Sequence, residues 1–475
     1  MVALGYVLSL GYGVLCLLFA FLLSRLGVDK KITRKIVHIF IGFEWVILYH
    51  FHGASYHFLV VCLAFLALLI VAYKKKLLRM IASDSENAPG TVYYAVSMSI
   101  MAFVSMLEPR FILPFGVAVF ATSLGDGFAG LLGQYVKCFN PKIYKEKTLV
   151  GTLSNAILST LVAFVFMHLY AEMALTPVSC IAIGLVAAGV ELVCGFGLDN
   201  IALPLSVSTL VYVFLIYKDV IYYILPIVLT PYIIAFVLKK HALTRSGLVA
   251  AIVLDLAITV ALRNFGFILL VIFLIIGILT DKLKKKDNNV KEEKGACRDA
   301  AQVLANGLVP IIAALLYFIL DERIYFFAFI ASLSEALGDT AASSLGSYSK
   351  KTFDLFKFRK CERGMSGGVS LVGTLAALVF SAIIPLFAFA FNRVSLVEML
   401  LLTVIAFLGV LFDSLLGSLL QAKYRCEICK SVTEKREHCG ASTRLTSGVG
   451  FIRNDAVNAL STLFAAILAM LFFSK

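Results

Sequence analysis

Residues 56–73 read YHFLVVCLAFLALLIVAY, and apolar runs of this length recur along the whole chain. A membrane-spanning helix needs about 20 consecutive apolar residues. Runs of this kind fall near 3–24, 36–52, 56–73, 92–107, 111–134, 149–170, 175–197, 201–217, 219–238, 246–262, 265–281, 300–320, 325–346, 367–391, 396–420 and 452–473. With 61% of 475 residues hydrophobic and a mean hydropathy of +0.95, a soluble globule could not hide the apolar surface. The runs are continuous rather than alternating, which excludes a porin-like barrel. The expected fold class is an all-α polytopic membrane protein with about 14–16 transmembrane helices.

Charge sets the expected orientation. If the N-terminus lies outside, alternate loops carry 36 of the 42 Lys and Arg residues, a strong positive-inside bias. Both termini are then expected outside, with the basic loops cytoplasmic and no cleavable signal at the start. The net charge of +13 therefore reads as topology, and no nucleic-acid partner is expected.

The chain also repeats itself. Leu124–Gly133 is LGDGFAGLLG and Leu337–Gly346 is LGDTAASSLG; Leu149–Leu153 and Leu371–Leu375 are both LVGTL. Glu191 follows Gly151 by 40 residues, as Asp413 follows Gly373. Arg34-x3-His38 answers to Arg298-x3-Gln302-x3-Asn306, and Asp199-Asn200 to Asn454-Asp455. Five blocks in one order predict two parallel, distantly related repeats. The expected boundary gives residues 1–240 and 241–475, the second with a cytoplasmic Cys loop over 423–450.

The repeated residues are polar and fall at predicted span ends. A carboxylate in a membrane helix costs about 2.5–3.5 kcal/mol at the bilayer centre, so it normally has a partner or a task. Asp126 and Asp339 follow Gly125 and Gly338 in small-residue helices, where backbones approach closely. Lys142, Lys145 and Lys147 precede Gly151; Lys357, Arg359, Lys360 and Arg363 precede Gly367, Gly368 and Gly373. Carboxylates facing basic and glycine-rich segments suit Mg²⁺ and phosphate. The bland alternatives are tight helix packing for the glycines, structural ion pairs for Arg and Asp, and a structural His38.

These blocks carry a resemblance. The first half, through RKIVH (Arg34–His38), SLGDGFAGLLG (Ser123–Gly133), KTLVGT (Lys147–Thr152) and LDNIALP (Leu198–Pro204), resembles the CTP-dependent membrane lipid kinases that include dolichol kinase and phytol kinase. The second half resembles the DUF92 family, which includes plant phytyl-phosphate kinase. Its blocks are RDAAQVLANG (Arg298–Gly307), SLSEALGDTAASSLG (Ser332–Gly346), GMSGGVSLVGT (Gly364–Thr374) and FLGVLFDSLLGSLLQ (Phe407–Gln421). The resemblance implies a bifunctional enzyme: an isoprenoid alcohol is phosphorylated by CTP in the N-terminal half, and the monophosphate is carried to the diphosphate in the C-terminal half. It implies an isoprenoid lipid substrate among membrane lipids, with CTP and Mg²⁺ as cofactors and both sites on the cytoplasmic face. Asp126, with Glu191 or Asp199, would hold Mg²⁺ in the first site; Arg34, Lys147 and Lys145 would hold phosphates, and His38 or a carboxylate would take the hydroxyl proton. In the second site Asp339 with Asp413 or Asp455 would hold Mg²⁺, with Arg298 and Arg363 on phosphates. Gln302 stands there in place of His38, because an anionic acceptor needs no strong base. Gly125, Gly151, Asn200, Asn306, Gly367, Gly368, Gly373 and Asn454 complete the expected phosphate surroundings. A cytidylyltransferase acting on a lipid phosphate and a transporter are the competing readings.

Of the ten cysteines, most lie in apolar runs and read as buried small hydrophobes. Cys426-x2-Cys429-x8-His438-Cys439 differs: in a reducing compartment that spacing suits structural Zn²⁺, with free thiols or a redox pair as alternatives.

Overall fold

The computed structural model describes residues 1–75, 90–195, 197–284, 297–349, 351–354 and 365–474. It is a multi-pass α-helical membrane protein. Among the described residues twelve helices are long and apolar enough to cross a membrane. Their outward faces keep large apolar side chains exposed, such as Leu15, Leu18, Val253 and Leu371. Exposure on this scale marks a lipid-facing surface.

Three of the sixteen expected spans fall on other helices. The run 36–52 is divided at Gly42 and Phe43 into the helices Lys30–Ile41 and Glu44–His52. A side chain at Gly42 would collide with Ser123 Oγ, so the break coincides with a close approach of two segments. The run 175–197 forms a 17-residue helix, Pro177–Val193. The run 325–346 forms the helix Arg323–Gly346, whose Ser332, Ser334, Glu335 and Asp339 make it too polar to count as a plain span. The runs 246–262 and 265–281 form two helices within Arg245–Leu283, as expected, because the chain breaks where Arg263 leaves helical geometry (φ 57°, ψ −145°) and returns, so that Gly247 and Gly277 both lie beside Arg298.

Contacts divide the chain into two compact units, Met1–Lys239 and Lys240–Lys475. The first is built around the stretch Pro109–Tyr135, whose apolar window is 83% buried. Trp45, Phe58, Met101, Phe115, Ile183 and Leu203 form its largest packed side chains. Gly116 lets the Trp45 indole lie against the backbone, where a methyl group would sit 2.5 Å from the ring. Over Ala121–Asp126 this stretch widens to π-helical geometry, which commonly marks functional positions.

The second unit is centred on Arg323–Gly346, which packs against the helices Ala300–Leu320, Leu371–Ser381, Leu396–Leu419 and Asn454–Phe472. Ile258, Leu269, Phe329, Ile330, Ile384 and Leu402 fill its core. The central stretch of each unit is thus the one that carries a Gly-Asp pair.

Each unit also contains the same local device. An antiparallel hairpin, Lys142–Tyr144 with Lys147–Thr148, leads into the helix Leu149–Leu169, capped by Thr148 Oγ1 accepting from Gly151 N. In the second unit Phe353–Asp354 pairs with Gly368–Val369 before the helix Leu371–Ser381, capped by Ser370 Oγ accepting from Gly373 N. Such caps satisfy amide groups that a helix start leaves unpaired. A four-stranded antiparallel sheet, in the order Val432–Thr433, Lys423–Cys426, Ala441–Ser447, Glu437–His438, forms the Cys loop.

Candidate functional site

The first unit gathers a compact set of opposed charges. The helix Lys30–Ile41 is strongly amphipathic and starts at Asp29, whose carboxylate accepts from Lys31 N at 2.7 Å. Lys35 and His38 lie on one face of it, three residues apart. Lys35 Nζ donates to Asp126 Oδ2 at 2.8 Å and to the Asp126 carbonyl at 3.1 Å. His38 Nε2 stands 3.7 Å from the same carboxylate oxygen. Gly130 makes room for this: a methyl group there would collide with Lys35 Cε.

Lys147, the first residue of the second hairpin strand, approaches from another direction. It is ion-paired with Glu191 at the end of Pro177–Val193, and its Nζ is 3.7 Å from Asp199 Oδ2. Burial alone would lower the Lys147 pKa, but Glu191, Asp126 and Asp199 outweigh it and hold the ammonium above its ordinary value. Asp199 also accepts from the backbone of Asn200 at 3.1 Å. Three carboxylates thus meet two ammonium groups and one imidazole, and the all-oxygen acidic set is suited to a hard divalent cation.

The sequence expectation and the geometry differ in one informative place. Arg34 is exposed, and its neighbour Lys35 is the cation on Asp126. Lys35 and His38, at i and i+3, both face Asp126, while Arg34, one residue of phase from Lys35, stays exposed. Gly125 and Gly151 serve close packing. A side chain at Gly125 would strike Ser159 Oγ and Asn155 Oδ1, and one at Gly151 would lie 3.0 Å from the Ala129 carbonyl. Lys145 lies in the hairpin turn with its ammonium over the Tyr144 ring.

Two residues not singled out from sequence support the site. Asn140 ties the loop together, donating to the carbonyls of Gly133 and Val136 and accepting from Val150 N. Asn155 is fully buried beneath Gly125, and its Nδ2 has no hydrogen-bond partner among the described residues. The spacing of Gly151, Asn155 and Ser159, four residues apart, was the available signal for a polar stripe.

The second unit holds a more acidic site. Arg298 Nη2 donates to Asp281 Oδ2 at 2.8 Å, and Ser344 Oγ donates to the other oxygen of Asp281 at 3.0 Å. Asp281, the anchor of this arginine, sits at the end of the kinked helix and belongs to none of the repeated blocks. Glu335, Asp339 and Asp413 lie close enough for their charges to act on one another, and Arg298 and Lys284 act on Asp339. Ser461 Oγ donates to Asp413 Oδ2 at 3.2 Å. Glu335 is 1% exposed and its Oε1 has no hydrogen-bond partner among the described residues.

Asparagines line the approach: Asn454 Nδ2 donates to Asn458 Oδ1, and Asn458 Nδ2 to Asn306 Oδ1, each at 3.3 Å. Asn458 is the member that sequence reasoning missed. Asp455 lies in the first turn of Asn454–Phe472. Gln302 has a different task from the one expected: its Oε1 accepts from Asp299 N while Asp299 accepts from Gln302 N, a complete capping box. The turn at Gly367 has φ +85°, and a side chain there would meet Ser418 N at 2.5 Å. Gly368 starts the short strand that follows, and Gly373 packs near Gly346. Arg363, with Lys357, Arg359 and Lys360, lies outside the described residues.

In the Cys loop, His438 Nδ1 is 3.4 Å from Cys429 Sγ and 3.2 Å from Cys439 Sγ. Hydrogen bonds from the Ser431 side chain and backbone bring the exposed Cys429 thiol down to about 6.

No solved structure matches this chain. It is 27% identical to an uncharacterized membrane protein of Methanocaldococcus jannaschii, over 51% of this chain and 90% of that one. It is similar to a phytol kinase of Synechocystis at 27% identity, over 40% of this chain and 82% of the kinase. Protein PGR of Arabidopsis thaliana is 29% identical over 48% of this chain and 88% of its own length. Residues 228–466, just over half of the sequence and including every described residue of the acidic second site up to Ser461, match the model of the DUF92 integral membrane proteins, and the chain belongs to that family.

Proposed function

We propose that this membrane protein is a phosphotransferase acting on isoprenoid lipids in two steps. The first unit transfers the γ-phosphoryl group of CTP to an isoprenoid alcohol, and the second transfers another to the resulting monophosphate. The cluster Lys35–His38–Asp126–Lys147–Glu191–Asp199 is the observation that carries this reading. The name of the Synechocystis relative supports the class of substrate.

In the first step the alcohol oxygen forms a bond to the γ-phosphorus as the bond to the β-phosphate oxygen breaks, and CDP leaves. Mg²⁺, when bound among the carboxylates, would neutralise charge on the transferring phosphate. The chain's own part is placement and electrostatics. Lys35 and Lys147 offer ammonium groups to phosphate oxygens, and Lys147 keeps its proton because of its carboxylate neighbours. His38 Nε2, at ion-pair distance from Asp126, is placed to receive the hydroxyl proton. In the second step the acceptor is already an anion. Gln302, engaged in a helix cap, supplies no base, and the reaction needs none. The carboxylates Glu335, Asp339 and Asp413 form the corresponding Mg²⁺ candidate, with Arg298 fixed by Asp281.

The test is product analysis with labelled CTP. Asp126→Asn should abolish alcohol phosphorylation and spare the phosphorylation of supplied monophosphate; Asp339→Asn should do the reverse. Release of pyrophosphate instead of CDP would make the protein a cytidylyltransferase. Absence of any nucleotide turnover would leave the transporter reading.

A further inference from the structure

The Cys loop contains a cluster of soft ligands outside both carboxylate sites. Cys426, Cys429, His438 and Cys439 each present one ligand atom, and the four atoms lie within 4.8 Å of one another. In a tetrahedral zinc site with Zn–S of about 2.3 Å and Zn–N of about 2.0–2.1 Å, neighbouring ligand atoms stand about 3.5–3.8 Å apart. The His438 Nδ1 to sulfur distances of 3.2 and 3.4 Å are close to that spacing.

The backbone is shaped to bring them together. Lys430 adopts a left-handed conformation (φ 59°), which lets its amide donate to the Cys426 carbonyl while Cys426 N donates to the Ser431 carbonyl. Cys426 and Cys429 thereby sit on one tight knuckle. The other two ligands lie at a two-residue hairpin turn: His438, paired to Ala441, precedes it, and Cys439 (φ 56°) with Gly440 (φ 75°) forms it. Such turns favour Asn, Asp or Gly at the first central position. A cysteine held there has a task that outweighs its backbone preference.

The same sheet grips the glycine turn of the second unit. Glu434, 5% exposed and located between Cys429 and His438, accepts from Ser366 N at 2.8 Å through Oε1. Lys423 Nζ donates to the Ser366 carbonyl at 2.9 Å. Both backbone groups of the residue before Gly367 are therefore held by the metal-ligand loop.

We propose that Cys426, Cys429, His438 Nδ1 and Cys439 bind one structural Zn²⁺, and that this ion fixes the sheet whose Glu434 and Lys423 hold the Ser366–Gly367 turn in place. On binding, the three thiols lose their protons to solvent and remain as thiolates, and the imidazole binds neutral. The ligand set with its ion then carries a single negative charge, beside Lys430, Lys435 and Arg436 of the same loop. The inference does not depend on the reaction proposed above.

The experiment uses the full chain purified in detergent under reducing conditions. Elemental analysis should find one zinc per chain, lost in Cys429→Ser and Cys439→Ser but retained in Cys138→Ser. Cobalt(II) in place of zinc should give thiolate charge-transfer absorption, absent from Cys429→Ser. A zinc-free chain with no cobalt spectrum, or a disulfide between two of these cysteines in non-reduced peptides, would overturn the site. Hydrogen exchange tests the coupling: stripping the metal should speed exchange of the amides over Ser366–Val369. Unchanged exchange there would overturn the clamp even if zinc is bound.

Discussion

Lys35→Gln offers the sharpest test of the first site, because the sequence motif and the geometry choose different cations. Lys35 Nζ lies 2.8 Å from Asp126 Oδ2, with side-chain exposures of 20% and 7%. At an effective dielectric constant of about 20, unit charges at that distance attract by about 6 kcal/mol before desolvation is subtracted. Breaking a buried pair by removing one partner costs about 3–5 kcal/mol. Lys35 keeps some contact with solvent, so a cost at or just below the lower end, about 2–3 kcal/mol, is expected here. The glutamine can still donate to Asp126, which preserves the fold while removing the charge. If Lys35 also stabilises charge in the transition state, alcohol phosphorylation should fall about 10²–10³-fold, as for loss of one oriented donor. Arg34→Gln, on the exposed side of the same helix, should change stability by no more than about 0.5 kcal/mol and activity only a few-fold. The assay is labelled CTP with a long-chain prenol in detergent micelles, and thermal unfolding of each variant is followed in parallel. Phosphorylation of supplied monophosphate serves as the internal control. A large defect in Arg34→Gln with Lys35→Gln nearly normal would refute the assignment and, with it, the helix phase on which the site is built.

Two further substitutions separate structural from chemical roles. Gly130→Ala places a methyl group against Lys35 Cε, the far end of a flexible side chain, so the fold should survive while alcohol phosphorylation drops about 10-fold, equivalent to about 1.4 kcal/mol; unchanged activity would mean that Lys35 need not occupy its observed position. Gln302→Ala removes half of a capping box and should destabilise the second unit by about 0.5–1 kcal/mol, read as a lower unfolding temperature, with monophosphate phosphorylation changed less than about threefold; a loss of a hundredfold would restore Gln302 to the reaction.

How much of this was legible in the sequence depends on the kind of information each residue needed. Apolar runs fix which segments enter the membrane, because hydrophobic burial is additive along a run and insensitive to detail. Repeated Gly-Asp pairs likewise mark the central stretch of each unit, since a carboxylate and a missing side chain are both costly in a helix without a reason. Pairing is harder to read, because it depends on rotation about a helix axis. One residue of phase, about 100°, decides between Arg34 and Lys35, and no motif records it. Gln302 matched His38 in spacing, yet an aspartate three residues before it recruits it into a cap. Asp281 lay outside every repeat because its role arises from the chain turning back at Arg263, which returns the end of Arg245–Leu283 to Arg298. The same logic explains Glu434 and Lys423, which look like ordinary loop charges until the sheet brings both onto Ser366. Long-range ion pairs are therefore where structure adds most to this sequence, and each pair named here lies within one unit, so substitutions at Lys35 and at Asp339 test the two proposed sites separately.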